Sequence, residues 1–173
     1  MAKVSEQLAP GITGQTQSTG GRVEGIFTTT AASEPMRTHE QIRALAGAGL
    51  EGDRYVLSTG FYSDGQDGRQ LTLIEAEDLE QLEQVYGVLL TQLECRRNLV
   101  TRGIALADLI GQRFRVGDVV CEGIRACPPC NHLEELTRPG PLRGLARSGG
   151  IRAHVLTDGV IRVGDTVEVM RDA

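Results

Sequence analysis

The segment Cys121-x5-Cys127-Pro-Pro-Cys130-Asn-His132 gathers the groups best able to hold a metal or act as a nucleophile. Its spacing admits three chemistries. Cys127 and Cys130 have the CxxC spacing of a zinc ligand pair, with Cys121 or His132 as a third ligand, although the second pair of a full zinc signature is absent. CPPC also has the form of a thioredoxin-like dithiol, whose first cysteine is the nucleophile. That chemistry needs a βαβ setting, whereas this motif follows a hairpin. In the third reading a single thiolate holds a cofactor metal. Cys130 directly precedes a predicted short helix, Asn131 to Thr137, whose free N–H groups favour a thiolate, and soft thiolates suit thiophilic metals. Cys95 and Cys121 read as buried, inert thiols.

A second cluster is Arg96-Arg97-Asn98. Two cations and an amide at a strand start can grip an anion and hydrogen-bond the edge of a heterocycle, although exposed arginine pairs are more often solvated surface. Arg143, Arg147 and Arg152 flank Ser148-Gly149-Gly150, a loop whose N–H groups can cradle a phosphate or simply form a turn. Asp53-Arg54, framed by glycine, has the makings of a buried ion pair that fixes a loop. His39 and His154 have no partners at readable spacing. No Ser-His-Asp order, Walker loop or GxGxxG-plus-acid arrangement is present.

These groups need elements to position them. Residues 1–20 are polar and aperiodic and read as a flexible leader. Strands are predicted from Arg22, over Arg69 to Ile74, within Glu94 to Thr101, and over 151–156, 160–163 and 166–170. Gln41 to Ala46 fits a strand or a helix equally. Ala76, Leu79, Leu82 and Tyr86 recur at helical spacing, which predicts an amphipathic helix over 75–86. Residues 109–123 read as a hairpin turning at Gly117-Asp118, and the phrases FRVGD and IRVGD suggest two similar hairpin turns. Gly49 to Arg54 and Ser58 to Gly68 read as loops. Many short strands with one clear helix predict a β-rich α+β chain: a closed β-barrel-like fold with one or two packed helices, in one domain over residues 21–171.

Composition narrows the function classes. A net charge of −5 disfavours a general nucleic-acid binder, and three Phe, three Tyr and no Trp supply a poor base-stacking platform. No apolar run approaches the roughly 20 residues of a membrane span, and the first residues lack a signal-peptide core. The expected location is the cytoplasm, with four reduced cysteines. Lys3 is the only lysine; the other seventeen basic residues are arginine. A GC-rich genome explains that bias, and so does bidentate recognition of phosphate or carboxylate.

The phrases GLEGDR (49–54), RQLTLIEAE (69–77), RRNLVTRGI (96–104), LIGQRFRVGDVVCEG (109–123), CPPC-x-HLE (127–134) and GGIRAHVLTDGVIRVGD (149–165) occur in one order. In that order they resemble the MOSC domain family, named for the C-terminal domain of molybdenum cofactor sulfurase, from about residue 22 to 170. The resemblance implies a closed β-rich barrel that binds the molybdenum cofactor, an anionic pyranopterin with a dithiolene and a terminal phosphate. It places the metal-bound, catalytic thiolate on Cys130, with Cys127 as a neighbour. It implies cofactor contacts from Arg96 and Asn98, from Gln70 and Thr72 along a strand, and from Arg54, with Arg147 as a further cation. Many members carry His after the Gly-Asp-Arg phrase; here the residue is Tyr55.

The family's reductase chemistry, carried over, implies reduction of a small N-hydroxylated or other N–O substrate. Neither a flavin fingerprint, a ferredoxin-type cysteine set nor a haem is expected in this chain, so electrons are expected from a separate iron–sulfur or flavin partner. Nucleic acid and membrane are not expected as partners. Two alternatives stand beside the reductase: a carrier holding sulfur as a persulfide on Cys130 or cofactor in transit, and a structural zinc-binding module.

Overall fold

A computed structural model describes residues 20–61 and 68–171. The leader expected over 1–20 lies outside these residues except for Gly20, as does the part of the Ser58 to Gly68 loop between 62 and 67. The described strands are β1 (Gly21–Thr28), β2 (Arg37–His39), β3 (Gln41–Leu45), β4 (Gly49–Leu50), β5 (Leu71–Glu75), β6 (Leu99–Arg102), β7 (Arg113–Val116), β8 (Val119–Ala126), β9 (Ile151–Val155), β10 (Gly159–Arg162) and β11 (Thr166–Val169). The described helices are α1 (Arg54–Leu57), α2 (Ala76–Tyr86), α3 (Asn131–Leu136) and α4 (Pro141–Gly144), and Leu106–Leu109 forms a single 3-10 turn.

Seven strands close a barrel in the order β11-β7-β8-β9-β5-β6-β1, and β1 returns to β11 through Gly21 opposite Val167. Neighbours are antiparallel except β5 and β6. A parallel pair needs a crossover, which α2 supplies. β2 extends the sheet beyond β1, while β10, β3 and β4 form a separate three-stranded sheet. The ambiguous Gln41 segment is therefore a strand, held by its pairing with β10.

Leu71, Leu73, Leu99, Phe114, Val116 and Val155 belong to the barrel's fully buried core. A second core lies under α2, where Leu79 and Leu82 pack with Phe27, Ile74 and Val100. Because β5 is covered on both faces, its first four residues are all buried. Helix α2 ends where Gly87 adopts φ 66° and its N–H reaches the carbonyls of Glu83 and Leu82. Arg102 on β6 pairs with Glu24 of β1 and Glu80 of α2, tying the helix to the barrel wall.

The two RVGD phrases behave differently. Gly117-Asp118 turns the paired hairpin β7–β8. Gly164-Asp165 instead links β10 in the small sheet to β11 in the barrel, so it is a corner between sheets and not a hairpin. The two turns nonetheless touch: the Gly117 N–H donates to the Thr166 carbonyl at 2.9 Å.

Candidate functional site

Four stretches meet at one end of the barrel wall: α1 with its preceding turn, the 91–98 loop, the CPPC loop leading into α3, and the facing ends of β8 and β9. The first is bolted to the end of β1. Asp53 is wholly buried, accepts from the Thr29 N–H at 3.1 Å, and caps α1 by accepting from the Tyr55 N–H. The Arg54 N–H donates to the Thr29 carbonyl at 2.7 Å. These bonds hold the buried Arg54 guanidinium 3.8 Å from the Asp53 carboxylate and 4.7 Å from the centre of the Tyr55 ring. Arg54 also donates to the Arg96 carbonyl at 2.9 Å and to the Met36 sulfur at 3.2 Å.

Arg96 adopts φ 59°, a conformation that non-glycine residues enter rarely. Its guanidinium donates to the carbonyls of Glu34 and Ala32. Burial and the neighbouring Arg54 charge push its pKa below the usual arginine value. Arg97 is a tie rod: it donates to the carbonyls of Gly149 (2.9 Å), Cys95 (3.3 Å) and Cys127 (2.9 Å). One buried cation thus clamps the CPPC loop and the double-glycine loop together.

Asn98 is fully buried and satisfied. Its Oδ1 accepts from both the N–H and the hydroxyl of Thr72, and its Nδ2 donates to the Phe27 carbonyl. Gln70 is likewise engaged, accepting from the Val155 N–H at 2.9 Å. Asn98, Thr72 and Gln70 stitch β1, β5, β6 and β9 together, and none of the three lines the cavity described below. Arg147 lies elsewhere again, at a small separate cavity shared with Glu75 and Asp78.

The four described cysteines are free thiols with different surroundings. Cys121 sits inside the barrel, where burial pushes its pKa up to about 12, and burial likewise raises that of Cys95. Cys127 is buried. Cys130 alone is half-exposed; it occupies the N-cap position of α3 but makes no capping hydrogen bond through its side chain. The stabilisation expected from that helix start is not expressed as a bond to sulfur. Among the described residues no three His, Cys, Asp or Glu side chains are grouped to hold a metal ion. Cys121 belongs to the barrel-interior core, whereas Cys130 packs against the core under α2, so the structure does not bring Cys121 to the CxxC pair as a third zinc ligand.

Cys130 opens onto a cavity of about 210 Å³. Six arginines line it (Arg54, Arg69, Arg96, Arg97, Arg125 and Arg152), and no carboxylate appears in its described lining. Pro128 and Pro129 stiffen one side. Phe61 and His132 stack with ring centres 4.3 Å apart at its margin, and His132 Nε2 lies 3.3 Å from the Ala32 carbonyl. The structure thus joins Arg54, Arg96 and Cys130, and leaves Gln70, Thr72, Asn98 and Arg147 outside. Arg69 and Arg125 were arginine contributors that the sequence reading did not single out: an arginine at the end of a strand does not reveal which loops will close over it.

A soft thiol facing a cavity whose described charged lining is cationic is suited to an anionic cofactor with a thiophilic metal. The chain matches the MOSC domain family over residues 62–168, and it belongs to that family. MOSC domains are associated with binding of the molybdenum cofactor. Among solved structures, YuaD from Bacillus subtilis is similar at TM-score 0.73 and 18% identity, covering 89% of this chain and 97% of that one. YiiM from Escherichia coli gives 0.61 and 18%, covering 89% and 71%. YiiM from Geobacillus stearothermophilus gives 0.58 and 16%, covering 87% and 73%. At these identities the likeness establishes the fold. No protein of curated function matches. Among the described residues no helix is long and apolar enough to cross a membrane.

Proposed function

We propose that this chain binds the molybdenum cofactor and reduces small N-hydroxylated or other N–O compounds, with electrons from a separate iron–sulfur or flavin protein. The observation that carries the reading is the pairing of a half-exposed Cys130 with a cavity whose described charged lining is entirely arginine. Cys130 would ligate the metal as its thiolate. Arg54 and Arg96, already held by backbone carbonyls, would present positive charge to the pterin phosphate without reorganising. When bound, the cofactor would supply two-electron oxygen-atom chemistry. The overall reaction takes up two electrons and two protons, breaks the N–O bond and releases water, leaving the reduced nitrogen base. The Phe61–His132 stack and the two prolines would fix the mouth through which the substrate enters.

The test is to make the chain in a host competent for the cofactor, purify it without oxygen, and measure molybdenum, pterin and turnover of an N-hydroxylated base. Stoichiometric molybdenum and pterin are expected. Cys130→Ser is expected to keep the pterin and lose turnover. Retained turnover, or a well-folded protein carrying neither metal nor pterin, overturns the reading. The exposure of Cys130 alone among the four thiols favours a second reading, a persulfide carrier. In that case Cys130 takes up persulfide label, and the serine variant does not.

A further inference from the structure

We propose that Arg152, opposite Arg125 on the strand wall of the cavity, anchors an oxyanion carried by the molecule that docks against Cys130. The substrate is then an acidic compound, bearing a carboxylate, phosphate or sulfate. The assignment to a substrate rests on the function proposed above; the anion site itself does not.

Arg152 is only 9% exposed, yet its Nε and Nη1 have no hydrogen-bond partner among the described residues. Leaving a buried charged donor unpaired is among the more expensive things a fold can do. Arg152 faces Arg125 in the β8–β9 register, so its partner across that ladder brings it no opposite charge. The cavity's described lining offers no carboxylate in return. Arg97 shows how this chain treats a guanidinium meant for structure, its donors taken up by backbone carbonyls, and even Arg54 and Arg96 each reach at least one carbonyl. Arg152 lines the same cavity and reaches none. An oxyanion in the cavity would satisfy both orphaned donors.

The placement also distinguishes this site from the positions carried over for the cofactor. Arg54 and Arg96 stand on the loop wall, in α1 and the 91–98 loop, whereas Arg125 and Arg152 project from barrel strands. One molecule could therefore be held at the loop wall while another is oriented from the strand wall.

The experiment has two arms. In the first, the full chain is made in a host unable to synthesise the cofactor, and inorganic phosphate is titrated while the arginine Nε–H resonances are followed by NMR. Saturable binding is expected. It should weaken at least about tenfold in Arg152→Gln and stay unchanged in Arg115→Gln, an exposed charge-matched control. Absence of saturable binding, or equal binding in wild type and Arg152→Gln, overturns the site. Should Arg152→Gln fail to fold, Arg152→Lys is read in the same titration, with weaker binding expected and unchanged binding overturning the site. In the second arm, cofactor-loaded protein is assayed with an N-hydroxylated compound bearing a carboxylate and with its neutral counterpart. Arg152→Gln should keep wild-type molybdenum and pterin content while KM rises about tenfold for the acidic compound alone. Loss of pterin from Arg152→Gln would assign the residue to the cofactor's own phosphate and overturn the substrate assignment. Failure of the cofactor reading, with no molybdenum or pterin in wild type, leaves the phosphate arm intact.

Discussion

Arg97 and Arg152 line the same cavity and are buried almost equally, at 8% and 9% exposure. Arg97 spends its donors on three carbonyls from three segments. Arg152 has two donor atoms with no partner among the described residues, and faces another arginine across the ladder. Burial alone therefore does not say whether an arginine belongs to the framework or to a ligand; the fate of its N–H groups does. Where a guanidinium joins loops, its removal should be felt by the whole fold. Where it is left unsatisfied, removal should be felt by whatever binds.

The sharpest way to break this contrast is to truncate both residues and compare urea denaturation. Arg97→Met should lose about 3 kcal/mol, because three buried carbonyls are orphaned together. Arg152→Met should stay within about 0.5 kcal/mol of wild type, or gain, in ligand-free protein. Equal losses would erase the distinction.

Asn98 extends the framework side. It was an expected cofactor contact, but its amide is consumed by Thr72 and Phe27. Asn98→Ala should lower stability by about 2 kcal/mol, measured by the same denaturation. A variant as stable as wild type but lacking pterin would instead place Asn98 with the ligand groups.

The smallest effect concerns like charges of the other sign. Desolvation, then Glu75 and Glu77, push the pKa of Asp78 up from 3.8 to about 7. A carboxyl whose folded pKa is raised favours the fold while protonated, and that contribution is lost as pH rises from about 4 through about 7. Asp78→Asn removes the loss. It should match wild type near pH 4 and exceed it by about 1 kcal/mol at pH 8, a figure reduced for the residue's partial exposure. Thermal unfolding across that range reads the difference, and a constant offset would contradict it.

Much of the barrel was legible because its strands alternate and its turns carry Gly-Asp, and α2 because apolar residues recur at three-residue spacing. The segments β2, β4, α1 and α4 were not, since elements of two to four residues exist only through tertiary partners. IRVGD shows the limit of local reading: the phrase that turns a hairpin at Gly117 turns a corner between sheets at Gly164. At the site, Cys130, Arg54 and Arg96 could be named from motif order. The framework duties of Arg97, Asn98 and Thr72 could not, because they depend on carbonyls and amides far away in sequence. Nor could the facing of Arg125 and Arg152, which follows from the pairing of β8 with β9.

The seam between β1 and β11 joins Gly21 to Val167. During synthesis β1 emerges early, and the part of its edge at Gly21 and Arg22, beyond the stretch that β2 covers, waits unpaired until the last barrel strand has left the ribosome. Exposed strand edges are templates for unwanted pairing, and closure over so long a separation is slow. The nascent chain thus passes through an open-edged sheet that the finished barrel never displays, and truncation before Thr166 should yield aggregates rather than a smaller soluble domain.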